Sequence, residues 1–142
     1  MKGFTLIEIL ITIFLIFILA TFIVSISLNF YKNQQLEVHS QGILQTLRRA
    51  QSKAMSVEFD SSFGIYLTDD NYTLFKGNSY ATRDIQHDEV FDLPEIINLS
   101  GLSEVVFSKS EGKPNVTGNI ILSTNGDSRT ININEIGKIN LL

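Results

Sequence analysis

The chain has 142 residues, of which 44% are hydrophobic and 18% are charged, and this composition excludes a disordered polypeptide. Eleven lysines and arginines stand against fifteen acidic residues, and the net charge of −4 excludes a basic footprint for nucleic acid over the whole protein. The absence of cysteine excludes disulfides and thiolate metal sites, and the length predicts about one domain.

The first predicted element is an apolar helix. Residues 9–28 form a run of twenty residues without a charged side chain, and its polar members are small threonines and serines. A membrane helix needs ~20 apolar residues, so the run predicts a transmembrane helix over residues 4–28. A cleaved secretory signal peptide is the alternative, but its apolar core is shorter, at about 7–15 residues.

Glu8 lies at the front of this apolar run. An ionised carboxylate inside a membrane segment costs ~3 kcal/mol or more, which makes Glu8 a candidate functional residue. The alternative places Glu8 at the lipid headgroup boundary without a function of its own.

The helical pattern continues over residues 29–55. Six apolar residues recur there at spacings of three, four and seven, which predicts one buried helix face: Leu36, Ile43, Leu44, Leu47, Ala50 and Ala54. Such an amphipathic continuation needs a partner layer from the rest of the chain.

Residues 56–142 predict a β-rich globular part. Alternation over residues 63–67, the turn residues 69–71 and the return over 72–76 indicate a hairpin. Further strands are predicted over residues 95–99, 104–108, 118–124, 128–134 and 138–142. The pair Asn125–Gly126 favours a tight turn, and residues 77–89 and 108–117 are predicted to be loops.

The N-terminal residues resemble the prepilin leader of type IV pilins and type II secretion pseudopilins. In that family a short basic leader ends in glycine, phenylalanine follows, and glutamate is the fifth residue after the cleaved bond. Gly3, Phe4 and Glu8 match these positions. The resemblance implies a leader of residues 1–3, cleavage between Gly3 and Phe4, methylation of the Phe4 amine, and assembly through Glu8 pairing with a neighbour's Phe4 amine. Unlike many members, the chain has no proline before Pro94.

A second, more diffuse resemblance covers most of the remaining chain. Residues 47–51, 63–66, 72–75 and 106–108, followed by a final strand with Gly137, look like the GspH/FimT-like minor pilins. This implies an α+β, pilin-like fold in which one long N-terminal helix packs on antiparallel β-sheets. The first half of that helix is expected to be transmembrane and the second half amphipathic.

The resemblance implies a minor pilin or pseudopilin, a non-enzymatic subunit of a type II secretion pseudopilus or type IV pilus-like filament. Its expected partners are other pilin subunits, the prepilin peptidase and N-methyltransferase, the assembly platform and membrane lipid. The expected location is the cytoplasmic membrane, with the N-terminus in the cytoplasm and residues 56–142 outside, and then the filament. The alternatives are a single-span membrane protein with an external ligand-binding β domain, and a DNA-capture minor pilin.

A metal site is another chemistry that the residues could suggest. Asp84, His87, Asp88 and Glu89 lack the ligand spacing of a metal site, and a solvated acidic loop explains them better. No catalytic arrangement forms around His39 or His87, so we predict no enzyme, metal or cofactor.

A weak DNA contact is the second chemistry, through four basic residues: Arg48, Arg49, Lys53 and Lys138. Residues 33–142 hold nine basic and fourteen acidic residues, a net charge of −5. Because phosphate binding needs several local cations, a solvated helix face is the preferred interpretation.

Overall fold

The computed structural model describes residues 3–124 and 126–142, with the side chains of residues 22–28 outside this description. The chain divides into two compact units, one ending at Gln34 and one of Gln35–Leu142. The predicted leader therefore lies outside the described residues except for Gly3. The first residue of the predicted Asn125–Gly126 turn lies outside them as well.

Helix α1 spans Leu6–Met55 and is the chain's only α-helix among the described residues. It begins two residues after the predicted start at Phe4 and ends at the predicted position. Residues 3–5, which precede it, have no regular secondary structure.

The predicted transmembrane half of the helix, and with it the fold class as predicted, is wrong on the described residues. No helix among them is both long and apolar enough to cross a membrane. A span needs ~20 apolar residues, whereas the described stretch from residue 6 to residue 21 has 16 residues in all, and Glu8, Thr12 and Thr21 among them are polar. The rest of the predicted span consists of residues 22–28, whose side chains the structure does not describe.

Unit 2 contains two four-stranded antiparallel sheets. The first has the order β3-β2-β1-β5, with β1 Phe63–Leu67, β2 Asn71–Lys76, β3 Glu89–Asp92 and β5 Glu104–Phe107. The second has the order β4-β6-β7-β8, with β4 Asn98–Gly101, β6 Gly118–Ser123, β7 Ser128–Ile133 and β8 Ile139–Leu141. Three short 3-10 helices complete the unit, at Glu58–Asp60, Tyr80–Thr82 and Ile85–His87.

One hydrophobic core joins α1 to both sheets. All six residues of the predicted helix stripe are buried, and they share a cluster with strand residues such as Ile65 of β1 and Ile131 of β7. Register explains the strand contribution: Ile65 pairs with Leu74 and Val105, and Ile120 pairs with Ile131, so apolar residues face the same side across neighbouring strands.

The other face of the first sheet is covered by residues 77–89, which the sequence predicted to be a loop. Gly64, Phe75 and Val106 lie opposite one another on this face. A Cβ on Gly64 would lie 2.6 Å from Phe75 Cζ, so only a glycine accommodates the Phe75 ring there. The Tyr80 ring stacks on Tyr66 with centroids 3.9 Å apart, which closes a second, smaller apolar cluster.

The predicted strand over residues 95–99 needs correction, and one further strand was not predicted. The predicted strand over residues 95–99 begins only at Asn98, because Pro94 and Ile97 form a turn in which Ile97 N–H donates to Pro94 O at 3.0 Å. Strand β3 was not predicted at all: its outward Val90 and Asp92 are exposed and its other residues are only partly buried, which gives a weak hydrophobic pattern.

Two loops that are distant in sequence are hydrogen-bonded to the C-terminal end of α1. Gln51 Nε2 donates to Gly112 O at 2.9 Å and to Gly137 O at 2.8 Å, and Ser110 N–H donates to Ala54 O at 3.0 Å. Gly137 has φ +80°, and a Cβ there would lie 2.5 Å from Gln51 Nε2. The glycine thus permits both the left-handed backbone and the close approach of the helix side chain.

Candidate functional site

The N-terminal segment holds the three residues singled out by the sequence. Gly3 and Phe4 precede α1, and the Phe4 side chain is 83% exposed. A Cβ added to Gly3 would meet nothing within 4 Å. Packing within the described chain therefore gives no reason for a glycine at this position.

Thr5 and Glu8 form a capping box at the start of α1. The Thr5 N–H donates to Glu8 Oε2 at 3.0 Å, and the Thr5 hydroxyl donates to the same oxygen at 2.9 Å. In return, the Glu8 N–H approaches the Thr5 hydroxyl oxygen at 3.4 Å. This reciprocal arrangement satisfies N–H groups that the first turn of a helix leaves without a partner.

The capping box also sets the charge of Glu8. The bond from the Thr5 backbone, followed by the one from the Thr5 hydroxyl, lowers the pKa of the Glu8 carboxyl because both stabilise its ionised form. Both bonds reach Oε2, and among the described residues none reaches Oε1. Glu8 is therefore an acid in the first turn of α1 whose charged form is favoured, and its Oε1 has no hydrogen bond among the described residues.

This local role of Glu8 was missing from the sequence interpretation. Threonine followed three residues later by glutamate, ahead of an apolar run, is the sequence signature of a capping box. Thr5 and Glu8 carry this signature. The capping box therefore gives a reason for an acid at position 8 that needs no partner molecule.

The apolar surface of α1 in unit 1 is the largest exposed feature of this segment. Its large hydrophobic side chains from Phe4 to Leu19 are exposed by 39–83%, and they occur on every side of the helix: Phe4, Leu6, Ile7, Ile9, Leu10, Ile11, Ile13, Phe14, Leu15, Ile16, Phe17, Ile18 and Leu19. Soluble monomers rarely expose a contiguous apolar area of this kind, which marks an interaction surface. The Thr12 hydroxyl donates to Ile9 O at 2.8 Å, so this polar group is already satisfied within the helix.

The four basic residues considered for a DNA contact have different surroundings. Arg49 forms an ion pair with Glu89, and Lys53 Nζ lies 2.7 Å from Glu58 Oε1. Arg48 Nη2 donates to Ile139 O at 3.4 Å, while the exposed Lys138 contributes a backbone N–H to Asn134 Oδ1 at 2.7 Å. Two of the four charges are thus balanced by carboxylates of the same chain.

The three acids among the residues considered for a metal site form ion pairs instead. Asp84 Oδ2 lies 3.2 Å from Lys76 Nζ and 2.9 Å from His87 Nδ1, Asp88 pairs with Arg83, and Glu89 pairs with Arg49. The hydrogen bond from Lys76 is the main cause that lowers the pKa of Asp84. Within the described part of the chain, no group of three or more histidine and acidic side chains could hold a metal ion.

Comparison of the chain with models of protein families, with curated proteins and with solved structures found no match. Function therefore has to be inferred from the geometry of residues 3–8 and from the exposed apolar surface of α1.

Proposed function

We propose that the chain is a minor pilin or pseudopilin, a structural subunit of a type II secretion pseudopilus or type IV pilus-like filament. In this proposal the chain is processed after Gly3 and assembles through its N-terminal helix. Its partners are other pilin or pseudopilin subunits, the prepilin peptidase and the assembly platform. Location at the cytoplasmic membrane before assembly is part of the same proposal and follows from the resemblance of residues 3–8 to a prepilin leader.

The observation that carries the proposal is the exposed apolar surface of α1 in unit 1. Burying one leucine, isoleucine or phenylalanine side chain stabilises a structure by about 1.5–3 kcal/mol. Residues such as Phe14 and Ile16, exposed on opposite sides of the helix, gain this energy when several other helices surround them. A filament core of parallel subunit helices supplies such an environment.

The geometry of residues 3–8 supports the processing step. The Gly3–Phe4 bond precedes the helix, and Phe4 is exposed where a peptidase can reach it. Hydrolysis would place a positively charged amine on Phe4. The free Oε1 of an ionised Glu8 in a neighbouring subunit is a suitable acceptor for that amine, because opposite charges attract strongly where water is excluded.

The features of unit 2 favour a structural role for the β-rich part. Its core is apolar, and the acidic residues of the 84–89 segment are engaged in ion pairs. Because Arg49 and Lys53 are paired with acids, no observation favours DNA capture over a purely structural subunit.

The assembly step can be tested with two matched aspartate variants of α1. Phe14 is 63% exposed in unit 1 and Val38 is 57% exposed in unit 2. We expect Phe14→Asp to be lost from filaments recovered from cells, because a carboxylate would be buried in the core without a partner. Val38→Asp should be recovered at the parent level. Equal recovery of the two variants would contradict assembly through unit 1.

A further inference from the structure

The start of α1 lies two residues after the bond that we propose to be cut. Residues 3–5 are not helical, and the capping box of Thr5 and Glu8 defines the first helical residue as Leu6. The bond between Gly3 and Phe4 is thus separated from the helix by two residues, Phe4 and Thr5. A helix that began one turn earlier would enclose this bond.

The position matters because a peptidase binds its substrate with the backbone extended. A bond inside a helix has its carbonyl engaged in the helical hydrogen bonds, and cleavage then requires local unfolding first. Exposed, irregular segments are the preferred sites of proteolysis for this reason. The apolar residues that follow Thr5 favour helix, so something must stop the helix from growing toward the N-terminus.

We infer that Thr5 is a positioning residue for the cleavage, an inference that rests on the proposed function. Through its capping box with Glu8, Thr5 fixes the start of the helix at Leu6 and keeps the Gly3–Phe4 bond outside the helix. Hydrolysis of this amide consumes one water, breaks the C–N bond, and yields the Gly3 carboxylate and the protonated Phe4 amine. Thr5 takes no part in the bond changes and acts only on the conformation of the substrate.

The competing role for Thr5 is a direct side-chain contact with the peptidase. The two roles differ in how the loss of Thr5 can be rescued. Proline is favoured at the first helical position and excludes the preceding residue from helix. Leu6→Pro should therefore restore the helix start when the capping box is absent, whereas it cannot replace a lost contact between Thr5 and the peptidase.

The experiment follows cleavage of the full chain co-expressed with a prepilin peptidase, by pulse labelling and intact mass. Alanine is a poor N-cap and the best helix former, so Thr5→Ala should be cut about fivefold more slowly. Thr5→Ser, which keeps the hydroxyl, should be cut at the parent rate. The double variant Thr5→Ala/Leu6→Pro should regain most of that rate.

The outcomes separate this inference from the proposed function. Cleavage of Thr5→Ala at the parent rate, or a double variant as slow as Thr5→Ala, would overturn the positioning role while leaving the filament proposal intact. A parent chain that is never cut after Gly3 would overturn both. As a structural readout, the Ile7 amide of the uncleaved chain, which would donate to the Gly3 carbonyl in a helix that begins earlier, should exchange more slowly in Thr5→Ala than in the parent.

Discussion

At the scale of single residues, Glu8 has a local role in the capping box, and the proposed function gives it an intermolecular role as well. Thr5 occupies one oxygen of the Glu8 carboxylate through two hydrogen bonds and holds it ionised. The other oxygen has no partner among the described residues. An acid that is oriented before assembly loses less side-chain entropy when a second donor arrives.

Glu8→Gln separates these two purposes. Glutamine also occupies the third helical position of capping boxes, so the helix start and cleavage after Gly3 should be unchanged. The negative charge is lost, and the Phe4 amine of a neighbour would be left without its counter-charge. We expect the variant to be processed normally but recovered poorly with the other filament subunits. Recovery at the parent level would remove the Glu8 charge from the assembly mechanism.

Asp84 gives a pH-dependent prediction for unit 2. The pKa of its carboxyl is lowered, mainly by the hydrogen bond from Lys76, so its folded pKa lies below the value in the unfolded chain. Its contribution to stability is then present above pH ~4 and is lost as the pH falls through the folded pKa. The thermal midpoint of Asp84→Asn should therefore lie below that of the parent at pH 6, and the gap should close under acid conditions.

The matched control for Asp84 is Asp69→Asn. Asp69 is exposed in the β1–β2 turn and has no ion pair among the described residues. Its variant should follow the parent at each pH. A gap between Asp84→Asn and the parent that is independent of pH would contradict the assignment to the Lys76–Asp84 pair.

At the scale of elements, the second half of α1 is held by its buried face. Leu47 is fully buried in the core, whereas Val38 on the same helix is largely exposed. Leu47→Ala should lower the free energy of unfolding of unit 2 by about 2–5 kcal/mol. Val38→Ala should change it by less than about 0.5 kcal/mol. Chemical denaturation of the full chain would measure both, and similar values for the two variants would disprove the packing of α1 on the sheets.

The sequence pattern predicted the elements that are formed by residues close together in the chain. The β1–β2 hairpin is confirmed, because the alternation of residues 63–67 and the turn residues 69–71 lie next to each other in sequence. The pairing of β1 with β5 and of β4 with β6 joins residues about forty and twenty positions apart, and such pairings depend on the tertiary fold rather than on local pattern. Strand β3 was missed because its residues are only half-buried.

The candidate site was predictable in part. The pattern of Gly3, Phe4 and Glu8 was visible in the sequence, whereas the hydrogen bonds from Thr5 to Glu8 were overlooked. For Arg49, the sequence indicated a cation on an exposed helix face, and the acid that balances it, Glu89, lies 40 residues further along the chain. Ion pairs across such separations become visible only once the fold has brought the residues together.

At the scale of the whole molecule, the two units have contrasting surfaces. The unit that ends at Gln34 exposes its large apolar side chains, whereas Gln35–Leu142 buries its apolar residues between α1 and two sheets. Exposed apolar side chains need partner molecules, while a closed core is complete by itself. This contrast is consistent with a chain that assembles through one unit and displays the other.

The central claim is that this chain becomes a filament subunit after cleavage between Gly3 and Phe4. The most direct test is the intact mass of the chain recovered from purified filaments of cells that contain the peptidase. We expect a mass that corresponds to a chain starting at Phe4 with one methyl group on its amine. A filament fraction without the chain, or a recovered chain that retains Met1 to Gly3, would contradict the claim.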